Sequence, residues 1–188
     1  SDTVGEINGM LNDLRELDEP CQFTLVVFND QPEVMIDHLP IKDTPRIDGH
    51  YYQPGGGTRI LDAVGTTIKK KRDKFGKEGK PDAIRLVVFT DGQEGRSTKF
   101  TKDEITAMLD QCKADGWDVM FMAASLGDVN AAAAYTGKGT VSMAYTPGKA
   151  KQTMGSMSMY FQTGQLSDQV VEQVKANVAA AQTPDDPE

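Results

Sequence analysis

The chain has few cysteines, few aromatic residues and no long apolar run. Among its 188 residues there are two cysteines, Cys21 and Cys112, whose separation fits neither a zinc site nor a thiol-redox pair. A disulfide framework is therefore not expected, a Cys21–Cys112 bridge being the minor alternative, and reduced thiols in a cytoplasmic setting are the expectation. No stretch reaches the roughly 18 apolar residues that a membrane-spanning helix needs. The first residues lack the charged, apolar and small-residue zones of a secretory signal. Basic charge is also scarce. Twenty Lys and Arg face 28 Asp and Glu, for a net charge of -8. That balance argues against binding nucleic-acid phosphates or an anionic membrane surface. The two histidines, His38 and His50, have no companion at metal-ligand spacing.

What the chain does have is an alternation of apolar runs and amphipathic stretches. Ser1 to Leu17 places Val4, Ile7, Met10, Leu11, Leu14 and Leu17 on one helical stripe, and Pro20 ends it. Gln22 to Phe28 is a nearly continuous apolar strand, as expected for burial on both faces in a parallel sheet. After the turn Asn29–Pro32, Glu33 to Leu39 alternates like an antiparallel edge strand, and Pro40 to Gln53 is mostly irregular. A helix is predicted over Arg59 to Phe75, with the basic run Lys69 to Lys74 as a solvated end that complements the helix dipole.

Further on, Ile84 to Phe89 and Trp117 to Ala123 read as buried strands. Between them, Thr101 and Glu104 form a capping box for a helix that buries Ile105, Met108, Leu109 and Cys112. A short Ala-rich helix over Val129 to Tyr135, a last strand over Thr140 to Tyr145 and a helix over Leu166 to Ala181 follow. Met143, Met154, Met157 and Met159 are expected to fill gaps in the core. The order implies one α/β domain over residues 1–181, with an acidic tail at 182–188. Its fold class is α/β, Rossmann-like and doubly wound, with a mostly parallel sheet and one antiparallel edge strand.

Two loops stand out. Pro54-Gly55-Gly56-Gly57-Thr58 opens a helix, and Asp91-Gly92 closes the strand ending V-V-F-T. The glycines permit a sharp turn or a close approach to a ligand, and Thr58 is either a helix N-cap or an oxygen ligand. Asp91-Gly92 is either a turn or a ligand loop. A hydroxyl and a carboxylate at the carboxyl edge of a sheet are hard ligands suited to Mg²⁺. Ser125, Asp128 and Asn130 follow a buried strand and read as surface loop.

Taken together, Ser1–Leu11, C-Q-F-T-L-V-V-F-N-D (Cys21–Asp30), Y-Q-P-G-G-G-T-R-I-L-D-A-V-G (Tyr52–Gly65), R-L-V-V-F-T-D-G-Q-E (Arg85–Glu94) and W-D-V-M-F-M-A-A (Trp117–Ala124) resemble the von Willebrand factor A-type domain family, in particular its small bacterial and phage-type members. The resemblance implies a protein-interaction module, not an enzyme, with Mg²⁺ held by Thr58 and Asp91 beside Gly56, Gly57 and Gly92. A partner's carboxylate would complete the shell. The implied partners are AAA-type ATPases or assembly components of phage and secretion machinery, with a virion-associated location for a phage member.

One departure matters. The family's D-x-S-x-S motif is absent, and with it the central strand that should precede the helix at Ser1. The cation site is therefore only partly encoded in this chain, and an upstream segment or another chain is expected to supply the strand. The competing expectations are an assembly subunit with a degenerate metal site and a Mg²⁺-dependent phosphoryl-transfer enzyme. The enzyme is disfavoured because no P-loop lysine, second carboxylate beside Asp91 or placed nucleophile occurs.

Overall fold

The computed structural model describes residues 2–17, 20–51, 56–90, 94–123, 126–137 and 140–144. Helix α1 (Asp2–Arg15) leads into an antiparallel pair, β1 (Gln22–Phe28) and β2 (Pro32–Pro40). Helix α2 (Ile60–Glu78) then precedes β3 (Ile84–Thr90), α3 (Lys102–Ala114), β4 (Trp117–Ala123), α4 (Leu126–Thr136) and β5 (Val141–Ala144). The strands β3, β4 and β5 form a parallel sheet in that order. The architecture is mixed α/β, built among the described residues from one antiparallel and one parallel sheet. The predicted helix at 166–181, the acidic tail, Tyr145 and Met154, Met157 and Met159 lie outside the described residues.

Strand alternation divides the core into two layers. Met120 and Met122 of β4, with Val87 and Phe89 of β3 and Phe23 and Leu25 of β1, pack with Met10, Leu11 and Leu14 of α1. Residues of the opposite parity, Val119 and Phe121 of β4, Leu86 and Val88 of β3 and Phe28 of β1, pack with Ile60, Val64 and Ile68 of α2 and Ile105 and Leu109 of α3. This period of two is what strands covered by helices on both faces require. Each fully buried Leu, Ile or Phe contributes about 1.5–3 kcal/mol, so the two layers supply most of the stability.

Burial departs from expectation in one respect. β4 is buried along most of its length, whereas β1 and β3 are only half-buried although their sequences are equally apolar. The reason is lateral. β4 has a strand on each side, but each of the other two is paired on one side only among the described residues.

The basic run of α2 is a solvated tail only in part: Lys69, Lys70 and Asp73 are exposed, but Lys71 and Arg72 are half-buried. Lys71 Nζ bonds Asp37 and Thr24, at 2.6 and 2.7 Å. Arg72 pairs with Asp115 at 2.6 Å and lies over the Trp117 ring, and Lys69 sits over Phe100. Lys71 and Arg72 thus fasten α2 to both sheets. Of the histidines, His50 is exposed, while His38 is half-buried at a positive φ of 55° on β2. Cys21 and Cys112 are both free thiols.

The irregular segment after β2 is pinned to α1 by two side chains, Asn8 and Arg15, the latter donating to the Thr44 carbonyl at 2.7 Å. The buried Asn8 donates to the carbonyl oxygens of Val4 and Ile47, and its Oδ1 accepts from Ile47 N–H at 2.8 Å.

Gly65, inside α2, is placed by contact with Phe100. A Cβ there would lie 2.7 Å from the ring. Gly65→Ala should therefore lose about 1–3 kcal/mol from overpacking, against the roughly 1 kcal/mol that alanine gains by helix propensity. Urea melts of Gly65→Ala with and without Phe100→Leu would check this, because the smaller side chain should recover much of the loss. A stabilised single variant contradicts the packing account.

Candidate functional site

The carboxyl ends of β1 and β3 and the amino end of α2 meet at one edge of the molecule. Thr58 and Arg59 enter α2, whose first helical residue is Ile60. Thr58 is thus not the N-cap. Arg59 occupies that position and makes no side-chain capping bond. The cap comes from the loop after β3 instead. Glu94 Oε2 accepts from Leu61 N–H at 2.9 Å, and Ser97 Oγ accepts from Asp62 N–H at 3.1 Å. A carboxylate at this terminus also complements the helix dipole.

The same loop is held from the helix side. Asp62 is fully buried, and its carboxylate accepts the backbone N–H groups of Thr98, Lys99 and Phe100 at 2.8–3.2 Å. Arg59 lies 3.9 Å from that carboxylate. Because hydrogen bonds to a charged acceptor are stronger than neutral ones, this cluster fixes the loop firmly. One consequence is a direct contact between the two loops, in which Gly95 N–H donates to the Thr58 carbonyl at 3.4 Å.

Beside Thr58, Asp30 at the end of β1 accepts from Gly57 N–H at 2.9 Å and pairs with Arg96 at 3.7 Å. The glycine run is explained by this contact. Gly56 has a φ of 83°, and a Cβ on Gly57 would fall 2.6 Å from Arg96 Cδ and 2.7 Å from Asp30 Oδ1. The close approach is to the protein's own carboxylate and guanidinium.

Thr58, Gly56 and Gly57 are therefore placed at the expected edge, with Thr58 half-buried. Asp91 and Gly92 follow the last residue of β3 in sequence and lie outside the described residues. Asp128 and Asn130 belong to α4 rather than to a loop, and Ser125 is outside the described residues. Sequence reasoning missed Asp30, Asp62, Glu94, Arg96 and Ser97. Their signal was present but weak: an acidic residue in the first turn of a helix, and a polar E-G-R-S-T run after a buried strand.

The fit to a divalent cation can be judged from these donors. Glu94 already spends both oxygens on backbone N–H groups and the Ser97 hydroxyl, and Asp30 Oδ1 accepts from Gly57 N–H and pairs with Arg96. Among the described residues no cluster of three acidic, histidine or cysteine side chains is arranged to hold a metal. Taken alone, then, the described residues do not form a Mg²⁺ site.

No family model matches the chain, and no curated protein matches it. Among solved structures, the fold is similar to proximal thread matrix protein 1 (PTMP1) from the mussel byssus, with a TM-score of 0.56 at 13% identity. The match covers 84% of this chain and 39% of that protein. At that identity the likeness concerns the fold alone.

Burial raises the pKa of Glu94, but the N–H groups of Leu61, Ser97 and Arg96 and the Ser97 hydroxyl outweigh it, and the net shift is downward. A depressed carboxylate stabilises the fold above its unfolded pKa, and that contribution is lost as pH falls through the folded value. Below about pH 4.3, the ordinary glutamate value, wild-type stability should therefore decline more steeply than that of Glu94→Gln. Denaturant titrations between pH 6 and 3 test this, and equal slopes would contradict it. Asp62→Ala, which removes the buried acceptor shared by three backbone N–H groups, should cost about 2–3 kcal/mol in the same assay. A loss under 1 kcal/mol would show that the loop does not depend on it.

Proposed function

We propose that the protein is a non-enzymatic interaction module of the von Willebrand factor A type, which engages a protein partner at the edge formed by Thr58, Asp30 and the 94–98 loop. In this reading the two sheets are parts of one Rossmann-like, doubly wound layer. The support is the helix arrangement: α1 packs on one face, and α2 and α3 on the other. The observation that carries the functional reading is the seating of the Thr58 loop on the loop that follows β3. Loops held at the carboxyl ends of strands are where α/β sheets bind ligands.

The cation belongs to the same proposal. Thr58 and Asp91 would be its protein ligands in this chain, with the rest of the shell coming from outside these residues and from a partner carboxylate. Mg²⁺ would supply a charge on which that carboxylate anchors. A second reading is favoured by one observation. Asp30 and Glu94 are engaged internally, as suits an assembly subunit whose edge serves packing and binds no metal.

Calorimetry separates the two. A cation that binds the folded state must raise Tm, by an amount corresponding to about 2.7 kcal/mol at a hundredfold excess over Kd. The module reading expects a rise in millimolar MgCl₂ that EDTA reverses and Asp91→Ala abolishes. An unchanged Tm rejects the cation and leaves the assembly subunit.

A further inference from the structure

Beyond its apolar stripe, α2 turns a polar stripe toward the antiparallel pair. Thr66, Thr67, Lys70, Lys71 and Lys74 share one side of the helix and line a groove of about 180 Å³. The floor of the groove is a face of the β1–β2 pair that carries Thr24, Val26 and Val34. Val26 and Val34 are opposite each other in the ladder, and Phe28, on the same face of β1, packs in the α2 layer. This face is therefore directed at α2, yet α2 brings it hydroxyls and amines rather than aliphatic side chains. Val34 stays 39% exposed, the one large apolar side chain to do so among the described residues.

The lysines are not equally engaged. Lys71 is bonded to Asp37 and Thr24, at 2.6 and 2.7 Å, and so belongs to the frame of the groove. Lys74 lies 3.7 Å from Glu78, a loose contact with a carboxylate that is 60% exposed. Such a pair holds its partners weakly. Lys70 is exposed and makes no ion pair among the described residues. Asp37 is the one acidic residue in the lining, and Lys71 already neutralises it. The groove therefore presents two available ammonium groups beside an apolar floor, on a chain whose net charge is -8.

Charge and size together select the occupant. The overall negative charge repels a long polyanion such as nucleic acid or a membrane surface, whereas a short acidic segment meets only the local lysines. A volume of about 180 Å³ falls below the roughly 300–1,000 Å³ of small-molecule clefts, so the groove seats one part of a larger occupant. A simple anion would use the lysines but leave Val26 and Val34 uncovered. We infer that the groove between α2 and the β1–β2 pair is a docking site for an acidic peptide segment of a partner protein. The segment sets an apolar side chain on Val26 and Val34 and its carboxylates against Lys70 and Lys74, with the Thr66 and Thr67 hydroxyls as further donors. Thr66 lies about 9 Å along α2 from Ile60, which separates this surface from the Thr58 edge. The inference goes beyond the reading of that edge and requires no cation there.

Amide chemical-shift titration of the 188-residue protein tests this, with EDTA present so that the outcome is independent of any cation at the Thr58 edge. The probe is the peptide acetyl-E-E-L-E-E-amide. It should give saturable shifts at Val26, Val34, Thr66 and Thr67 that weaken as NaCl is raised. The neutral acetyl-Q-Q-L-Q-Q-amide should give none, and acetyl-E-E-G-E-E-amide should bind at least threefold more weakly, because it cannot use the apolar floor. Lys70→Gln combined with Lys74→Gln should weaken the acidic peptide at least tenfold with Tm unchanged, since neither side chain fastens α2. Val34→Glu, at an exposed position, should weaken it similarly by placing a carboxylate in the groove. Absence of saturable shifts at these amides would overturn the inference, as would full affinity in both lysine and Val34 variants. Inorganic phosphate matching the peptide's shifts and affinity would also overturn it, by reducing the groove to a simple anion site.

Discussion

The buried carboxylate of Asp62 is the interaction on which the candidate edge depends. It sits in the first turn of α2 and gathers three consecutive N–H groups of a loop some 36 residues later in sequence. Burying a carboxylate is costly unless its lone pairs are met, and here the loop backbone meets them while Arg59 lies 3.9 Å away as a counter-charge. Everything at the edge follows from that anchorage. With residues 98–100 fixed, Ser97 and Glu94 are positioned to cap α2, Gly95 reaches Thr58, and Arg96 reaches Asp30. The Asp30–Arg96 pair cannot hold this arrangement itself. Both side chains are more than half exposed, and such pairs contribute about 0–1 kcal/mol.

What the sequence made legible was whatever its local chemistry determines. The capping box of α3 is present as read, with Thr101 and Glu104 each bonded to the other's backbone, because its partners are three residues apart. The apolar runs became β1, β3 and β4, and the alternating stretch after the turn became the antiparallel β2. The cap of α2 was misread for the complementary reason. Thr58 has the residue type of an N-cap, but the groups that satisfy the helix start come from Glu94 and Ser97, and no local rule finds them. The basic run of α2 failed similarly. Its periodicity suits a solvated end, whereas Lys71 and Arg72 find partners only once the sheets are in place. The glycines of the 55–57 loop were legible as a close approach, but not the identity of what Gly56 and Gly57 approach.

The half-burial of β1 and β3 has a physical consequence. A backbone hydrogen bond contributes about 1 kcal/mol net, while each buried aliphatic side chain contributes about 1.5–3 kcal/mol. Two sheets without a joining ladder can therefore remain registered if enough side chains span them, and α1 and α2 provide that span. The separation is held by helix packing from above and below, and at one end by the Asp30–Arg96 pair.

This division of labour also applies at the edge. It is ordered by Asp62, Glu94 and Ser97, all on α2 or on the loop following β3. α2 is itself seated on both sheets by Ile60, Val64 and Ile68 and by the Lys71 and Arg72 contacts. The edge is thus ordered by bonds that do not depend on a ladder between the two sheets, and any ligand of Thr58 meets loops that are already fixed.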